Sequence, residues 1–241
     1  MLLQDILALF EQKAPKITAE EWDNVGLLVD CGHTNISKAV VALDATPAAL
    51  AFAAENGAQL LVTHHPIIFS PLTVLSHTHP AAVALTSGVS VLSLHTNLDK
   101  AAGGVNDTLA EKLGLQNVAV TADGMTRTGT LSVPLCAADF AALCAEKLDT
   151  PVTYCGNKQV KTVAVCGGSA GSGVFTATAD AYVTGEIKHH EWLAANETGL
   201  VAVAAGHYAT ENPVVDALCN WLSGTDMTIL PFYDHAPYKG V

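Results

Sequence analysis

Short apolar runs alternate with helical segments along nearly the whole chain. The helical segments carry apolar residues at helical spacing, and several begin at Pro or end at Gly. We predict strands over residues 39–43, 59–63, 89–94, 130–133, 162–166, 181–184, 200–204 and 227–232. We predict helices over residues 2–10, 48–55, 80–87, 105–113, 137–148, 188–196 and 212–222. Alternation of this kind predicts a layered α/β fold.

Length, charge and hydropathy narrow the class of protein. The 241 residues suit one large α/β domain or two small ones, and only 6% of them are aromatic. The formal net charge of −12 argues against nucleic acid as a partner, because binding phosphates requires clustered Lys and Arg. The chain has no apolar run of the roughly 18 residues that a spanning helix needs, so we expect no membrane association.

The cysteine pattern and the low charge suggest a compartment and an assembly. The 6 cysteines are scattered without any C-x-x-C pair, which is typical of reduced thiols. The N-terminus has neither the basic region nor the long apolar region of a signal peptide, so we expect a cytoplasmic protein. Because only 14% of residues are charged and 50% are hydrophobic, we expect extra surface to be buried between subunits.

A faint internal repeat relates the two halves of the chain. The segment Leu61–His65 resembles Tyr182–Glu186, and His95–Asp99 resembles His207–Glu211, in the same order. The pattern indicates duplication of an α/β unit, although short apolar strands also match by chance. We predict two repeats, residues 1–125 and 126–241, with a site between them.

A pair of adjacent histidines follows one predicted strand. At the junction of strand and loop, the rings of His64 and His65 can turn toward one pocket, and Pro66 stiffens the exit. Two neutral imidazoles suit one metal ion or two adjacent ions. Taken alone, the pair is better explained as two histidines of a surface loop.

A second polar cluster, His95–Asp99, follows another buried strand. Ligands collect at strand ends in open α/β sheets, so both histidine clusters are expected to face one crevice. Asn97 and Thr96 could bind a ligand or cap the next turn. His95 could ligate a metal or be a buried histidine that holds the loop.

A third cluster lies at the end of a later strand. His207 ends that strand, and Glu211 lies in the first turn of the helix that follows, near Pro213. A Glu at this position ordinarily interacts with the helix dipole. Together with a histidine at the strand end, it also makes a plausible set of nitrogen and oxygen ligands.

Five side chains from the three clusters supply three imidazoles and two carboxylates without a thiolate. The candidate ligands are His64, His65, Asp99, His207 and Glu211. This set suits Zn, Mn, Fe or Co in a hydrolytic site better than a structural zinc site. Five side chains exceed the needs of one catalytic ion with open positions, so we predict two divalent ions per subunit.

These residues belong to motifs that resemble one family. The motifs are Trp22–Leu27, Leu61–Pro66, His95–Asp99, Gly103–Asn106, Thr184–His190 and Gly206–Glu211. In this order they resemble the Nif-three-like family, whose short bacterial members, of YbgI type, are named GTP cyclohydrolase 1 type 2 homologues. The resemblance covers nearly the whole chain, and the chain lacks the long insertion of larger members.

The resemblance implies a fold, an assembly and a site. The fold would be two intertwined, duplicated α/β repeats with mixed sheets, and the assembly a toroidal homohexamer with dinuclear metal sites on its inner side. The five candidate ligands named above match the family's ligand motifs. His95, Glu186 and His190 would lie near the site.

We therefore expect a metal-dependent hydrolase of unknown substrate, in which hydroxide attacks carbon or phosphorus. Glu186 and His190 are the candidate proton-transfer groups, because of their place in the repeat. The alternative is a non-catalytic metal-binding or delivery factor, or a ring-shaped interaction scaffold. The family name is a weak guide to the substrate.

Two further segments have open interpretations. Residues 167–173 are rich in glycine and could hold a phosphate, but they fit no phosphate-loop spacing, which favours a tight structural turn. Trp22, Asp23 and Asn24 could line the pocket, or Trp22 could pack in the core while Asp23 and Asn24 form a turn. We assign no role to the remaining histidines, His33, His77, His79 and His235.

Overall fold

The computed structural model describes residues 1–237, which form two compact units. Unit 1 comprises Met1–Gly104 and Val214–His235, and unit 2 comprises Val105–Pro213 together with residues 236–237. Each unit contains its own mixed sheet with helices against it, which confirms the predicted α/β fold with mixed sheets. Among residues 1–237, no helix combines the length and the hydropathy that a membrane-spanning segment needs.

The strands and helices are numbered in chain order. The strands are β1 (Gly26–Val29), β2 (Lys38–Ala42), β3 (Leu60–Thr63), β4 (Ser90–Ser93), β5 (Gln116–Val120), β6 (Arg127–Cys136), β7 (Thr153–Cys155), β8 (Gln159–Val165), β9 (Ala181–Thr184), β10 (Val201–Ala204) and β11 (Thr228–Phe232). The helices are α1 (Leu3–Lys13), α2 (Pro47–Glu55), α3 (Pro80–Thr86), α4 (Thr96–Lys100), α5 (Val105–Lys112), α6 (Ala137–Leu148), α7 (His189–Thr198), α8 (His207–Glu211) and α9 (Val214–Leu222).

Unit 1 has a five-stranded sheet in the order β1-β4-β3-β2-β11. Strands β4, β3, β2 and β11 are parallel, and β1 pairs antiparallel with β4. The central strands are buried, which is why they are continuous apolar runs in the sequence. Helix α2 begins where Thr46 Oγ1 accepts a hydrogen bond from Ala49 N at 3.1 Å, with Pro47 at the first helical position.

Unit 2 has a six-stranded sheet in the order β5-β6-β8-β9-β10-β7. Strands β8, β9 and β10 are parallel, whereas β5, β6 and β7 each pair antiparallel with a neighbour. The side chain of Arg127 is fully buried and forms an ion pair with Asp107, so it joins β6 to α5.

The same local arrangement places polar residues at one sheet edge in each unit. In unit 1 the neighbouring parallel strands β3 and β4 lead into His64 and His95. In unit 2 the neighbouring parallel strands β9 and β10 lead into Glu186 and His207. This correspondence agrees with duplication of an α/β unit. The chain passes from unit 1 to unit 2 after Gly104 and returns to unit 1 after Pro213. The repeat boundary at residue 125 stays a prediction.

Several elements differ from the prediction for physical reasons. The sequence does not predict β1, β5 and β7, which lie at sheet edges, nor the short helices α4 and α8. Every residue of β5 is exposed, and its apolar stretch is only the three residues Val118–Val120. The helix predicted over 212–222 begins only at Val214, directly after Pro213. Strand β6 extends beyond the predicted residues 130–133 in both directions, into the polar or small residues Arg127–Gly129 and into Pro134–Cys136, and none of the residues 134–136 is buried.

Candidate metal centre

The end of β3 turns two adjacent histidine rings to the same side. The backbone N–H groups of His64 and His65 both donate to Leu43 O, at 3.1 and 3.0 Å. Thr63 Oγ1 donates to His65 O at 2.9 Å, which fixes the turn further. The ring centroids of His64 and His65 are consequently only 4.7 Å apart, as the sequence predicts for a strand-to-loop junction.

Each of these rings is held through its Nδ1 atom. His64 Nδ1 lies 2.9 Å from Leu94 O, and His65 Nδ1 lies 2.7 Å from Asp44 Oδ1. A carbonyl or carboxylate oxygen accepts, so Nδ1 carries the proton and the Nε2 of a neutral ring keeps its lone pair. Hydrogen-bond acceptors of this kind orient metal-binding histidines in known sites.

His95, at the end of β4, is held in the same way. Its Nδ1 lies 2.8 Å from Asp23 Oδ1, and Asp23 Oδ2 accepts from Thr96 N at 2.9 Å and from Thr96 Oγ1 at 2.5 Å. Burial by itself would raise the pKa of Asp23, but the hydrogen bonds from Thr96 and His95 outweigh it and hold that pKa below its ordinary value. Asp23 therefore stays ionised beside the ring.

The histidines and one carboxylate of unit 1 have metal-binding spacing. His64, His65 and His95 each offer a ring nitrogen within 4.8 Å of the others. Asp99 lies one turn after His95 on α4, with its Oδ1 3.8 Å from His64 Nε2. Two ligand atoms about 2.1 Å from one ion lie about 3–4 Å apart, so this spacing fits a shared divalent ion. We call these four residues the histidine half-site.

Unit 2 presents a second group of donors at the end of β10. His207 Nδ1 lies 2.8 Å from Glu186 Oε1, and His207 Nε2 lies 3.0 Å from Glu211 Oε2. Glu211 is 5% exposed, whereas Glu186 is an exposed residue at the end of β9. We call Glu186, His207 and Glu211 the carboxylate half-site. Each ring nitrogen of His207 therefore faces a carboxylate oxygen, Nδ1 that of Glu186 and Nε2 that of Glu211.

The glycine-rich loop after β8 makes room for this half-site. A Cβ on Gly168 would lie 2.1 Å from Glu211 Oε1 and 3.2 Å from His207 Nε2. Gly168 O accepts from the N–H groups of Gly185 and Glu186, both at 3.0 Å. These contacts favour the interpretation as a tight structural turn over the interpretation as a phosphate loop.

A Gly168→Ala substitution is expected to destabilise unit 2 and to weaken metal binding. Gly168 has φ +64°, so any side chain costs about 1–2 kcal/mol in backbone strain, and the clash with Glu211 adds to that cost. Gly199→Ala is the matched control, because Gly199 has φ +69° and nothing within 4 Å of an added Cβ. Denaturant unfolding should show a larger loss of unfolding free energy for Gly168→Ala than for Gly199→Ala. Equal losses in both variants, with unchanged metal content, would contradict the steric role of Gly168.

The two predicted proton-transfer residues have different surroundings. Glu186 accepts from Ser169 Oγ at 3.1 Å in addition to its contact with His207, so it orients that ring. His190 is exposed on α7, and its ring stacks on Phe175 with centroids 6.2 Å apart and an interplanar angle of 22°. A role in proton transfer stays a prediction for both residues.

Sequence reasoning missed some of the residues that hold the histidine rings. Asp44 was assigned no role, although it follows β2 as the first polar side chain after an apolar run, the same signal that marks His64. For Asp23 the sequence offers a place in the pocket lining or in a turn, but not its contact with the ring of His95. The interpretation of Trp22 as a core residue is wrong, because Trp22 is 59% exposed and its ring lies 6.1 Å from that of His95.

Comparisons with known proteins extend over both units. A profile of the family Duf34/NIF3 (NGG1p interacting factor 3) matches residues 1–231. Relatives from Lactococcus lactis and Clostridium perfringens, each named "GTP cyclohydrolase 1 type 2 homolog", are 30% and 33% identical to this chain. The alignments cover 97% and 89% of this chain and 100% and 88% of the relatives. The crystal structure of Staphylococcus aureus protein SA1388 matches with a TM-score of 0.91 at 25% identity, over 100% of this chain and 99% of that one.

Proposed function

Because the chain belongs to the Duf34/NIF3 family, we propose that it binds two divalent metal ions and acts as a metal-dependent hydrolase. One observation carries the proposal. Four histidines at the ends of parallel strands each contact an oxygen acceptor through Nδ1, the arrangement that orients histidine ligands in metal sites. Histidines of a purely structural role have no need of this shared arrangement.

We propose that five side chains of the chain bind these ions. The proposed ligands are His64, His65, Asp99, His207 and Glu211. Neutral imidazole and carboxylate donors suit Zn, Fe, Mn or Co. His95 is a further candidate ligand, because its ring is held as those of His64 and His65 are.

The bound ions would lower the pKa of water and polarise a carbonyl or phosphoryl oxygen of the substrate. The chain's own residues then have separate tasks. Asp23 and Asp44 hold imidazoles in one tautomer, and Glu186 does so for His207. Glu186 and His190 are the proposed groups that move protons between the substrate and solvent.

A Glu186→Gln substitution is expected to lower metal affinity by about 10- to 100-fold, because it removes the carboxylate that orients His207. His190→Ala should leave metal affinity unchanged, since its ring stacks on Phe175. Competition with a metal-sensitive dye measures both affinities. Turnover that persists unchanged in both variants, once a substrate is known, would remove both residues from proton transfer.

The enzyme proposal is tested by a hydrolysis screen over nucleotides, phosphoesters and cyclic amides with metal-loaded protein. We expect activity that disappears on chelation and in His64→Ala but persists in His77→Ala, a substitution of an exposed histidine. Ready exchange of metal with an acceptor protein, without turnover of any compound, would instead favour a delivery factor.

We also propose that the chain assembles as a toroidal homohexamer, as the family resemblance implies. The low fraction of charged residues, 14%, agrees with additional burial between subunits. Light scattering after size exclusion should give six times the chain mass of 25.0 kDa. A monomeric mass at micromolar concentration would contradict the proposed ring.

A further inference from the structure

Two exposed aromatic side chains lie beside the histidine half-site. Trp22 is 59% exposed and Phe69 is 52% exposed, although large apolar side chains are usually buried. Their ring centroids are 5.8 Å apart, and each ring makes an edge contact with the ring of His95 at 6.1 Å. We call Trp22 and Phe69 the aromatic pair. It forms a continuous apolar surface next to a candidate metal ligand.

Hydrogen bonds fix the backbone next to both members of the aromatic pair. On one side, Asp23 accepts from the ring of His95 and from Thr96. On the other side, Asn24 Nδ2 donates to Ile68 O at 2.6 Å, which ties the two loops together. The loops that carry the pair are therefore held in place before any ligand arrives, and preordered loops reduce the conformational entropy lost on binding.

The chemistry of the surface defines what it can bind. Aromatic faces attract planar π systems through offset or edge-to-face stacking and through the burial of apolar area. Ligand sites commonly combine an apolar wall with a few convergent polar groups. Here the wall is the aromatic pair, and the polar groups are the histidines at the ends of β3 and β4.

We propose that the aromatic pair is a substrate subsite that stacks a planar aromatic or heteroaromatic ring, next to the metal-binding histidines. This inference rests on the proposed function, because it makes the histidine half-site the reacting end of the substrate. The substrate class would be compounds in which a flat ring is joined to a hydrolysable group. Trp22 and Phe69 would then determine specificity without taking part in the chemistry.

The test is calorimetric titration of the full chain with adenosine, a planar probe, and with ribose, which lacks the ring. We expect adenosine to bind and ribose not to bind. Trp22→Ala and Phe69→Ala should each weaken adenosine binding about tenfold, the usual scale for loss of a stacking partner. Trp22→Phe keeps an aromatic face and should bind nearly as well as the wild type.

The control is Tyr154→Ala, which removes an aromatic side chain of unit 2 that is 42% exposed. It should bind adenosine as the wild type does. Equal affinity in wild type and Trp22→Ala would overturn the proposal. A wild type that binds no adenosine would also overturn the proposal. This outcome includes the case in which a second copy of the chain covers the aromatic pair, so that acrylamide fails to quench Trp22. Metal content measured on the same samples separates the test of this subsite from the test of the proposed function. A wild type without metal refutes the proposed function even if adenosine stacks on the aromatic pair.

Discussion

A His64→Ala variant is expected to lose its bound metal while it keeps its fold. The ring of His64 is fully buried, its Nδ1 is held by Leu94 O at 2.9 Å, and its Nε2 lies 3.8 Å from Asp99 Oδ1. Removing the ring takes away a ligand that no neighbouring side chain can replace from the same position. We expect metal affinity to fall by more than about 100-fold, beyond the effect of losing a residue that only orients a ligand.

Metal content per chain, measured by inductively coupled plasma mass spectrometry after dialysis, gives the result directly. His77→Ala is the matched control, because His77 is exposed in a loop outside both half-sites. Circular dichroism establishes that both variants fold. A folded His64→Ala protein that retains the metal content of the control would remove His64 from the ligand set.

An Asp23→Asn substitution is expected to weaken both metal binding and folding. The side chain of Asp23 is fully buried and accepts hydrogen bonds from His95 and from both the N–H and the hydroxyl of Thr96. An amide at this position cannot accept all three. We expect a loss of about 1.5–3 kcal/mol in unfolding free energy, the usual scale for hydrogen bonds to a charged group. If His95 binds metal, affinity should also fall by about 10- to 100-fold.

Asp123→Asn separates the two effects. Asp123 also accepts from threonine hydroxyls and backbone N–H groups, but it does so in the turn between β5 and β6 of unit 2. We expect this variant to lose stability without losing metal affinity. Unchanged metal affinity in Asp23→Asn as well would show that His95 is not a ligand.

The pH dependence of unfolding gives a further check on Asp23. Its pKa in the folded chain lies below the ordinary value of 3.8, because hydrogen bonds to Thr96 and His95 outweigh the effect of burial. Its contribution to stability is therefore complete above that ordinary value and is lost as pH falls through the lowered pKa. The difference in unfolding free energy between the wild type and Asp23→Asn should shrink over this acidic range.

The sequence predicts the centre of each sheet better than its edges. Buried parallel strands such as β3 and β9 are continuous apolar runs, and the start of α2 has a capping Thr46 before Pro47. Strand β1 pairs only with β4, and β5 is exposed throughout, and each has an apolar stretch of only three residues, Leu27–Val29 and Val118–Val120. An edge strand depends on the neighbour that it pairs with, and for β1 that neighbour, β4, is distant in sequence.

The same limit applies to the candidate site. His64, His65 and His207 are found from sequence because each directly follows an apolar strand. The orientation of their rings cannot be found from sequence, because the acceptors that hold Nδ1 come from other segments, such as Leu94 O for His64 and Asp44 for His65. The sequence therefore predicts which side chains collect at the sheet edge, and the structure adds which ring nitrogen each histidine presents.

Anomalous diffraction from crystals of the metal-loaded protein tests the central claim most directly. We predict two anomalous peaks per chain, each about 2.0–2.2 Å from Nε2 atoms or carboxylate oxygens of the proposed ligands. His64 Nε2, His65 Nε2 and His207 Nε2 should each contact a peak, with Nδ1 still bonded to its oxygen acceptor. Peaks bound elsewhere on the chain, or none after metal loading, would contradict the account.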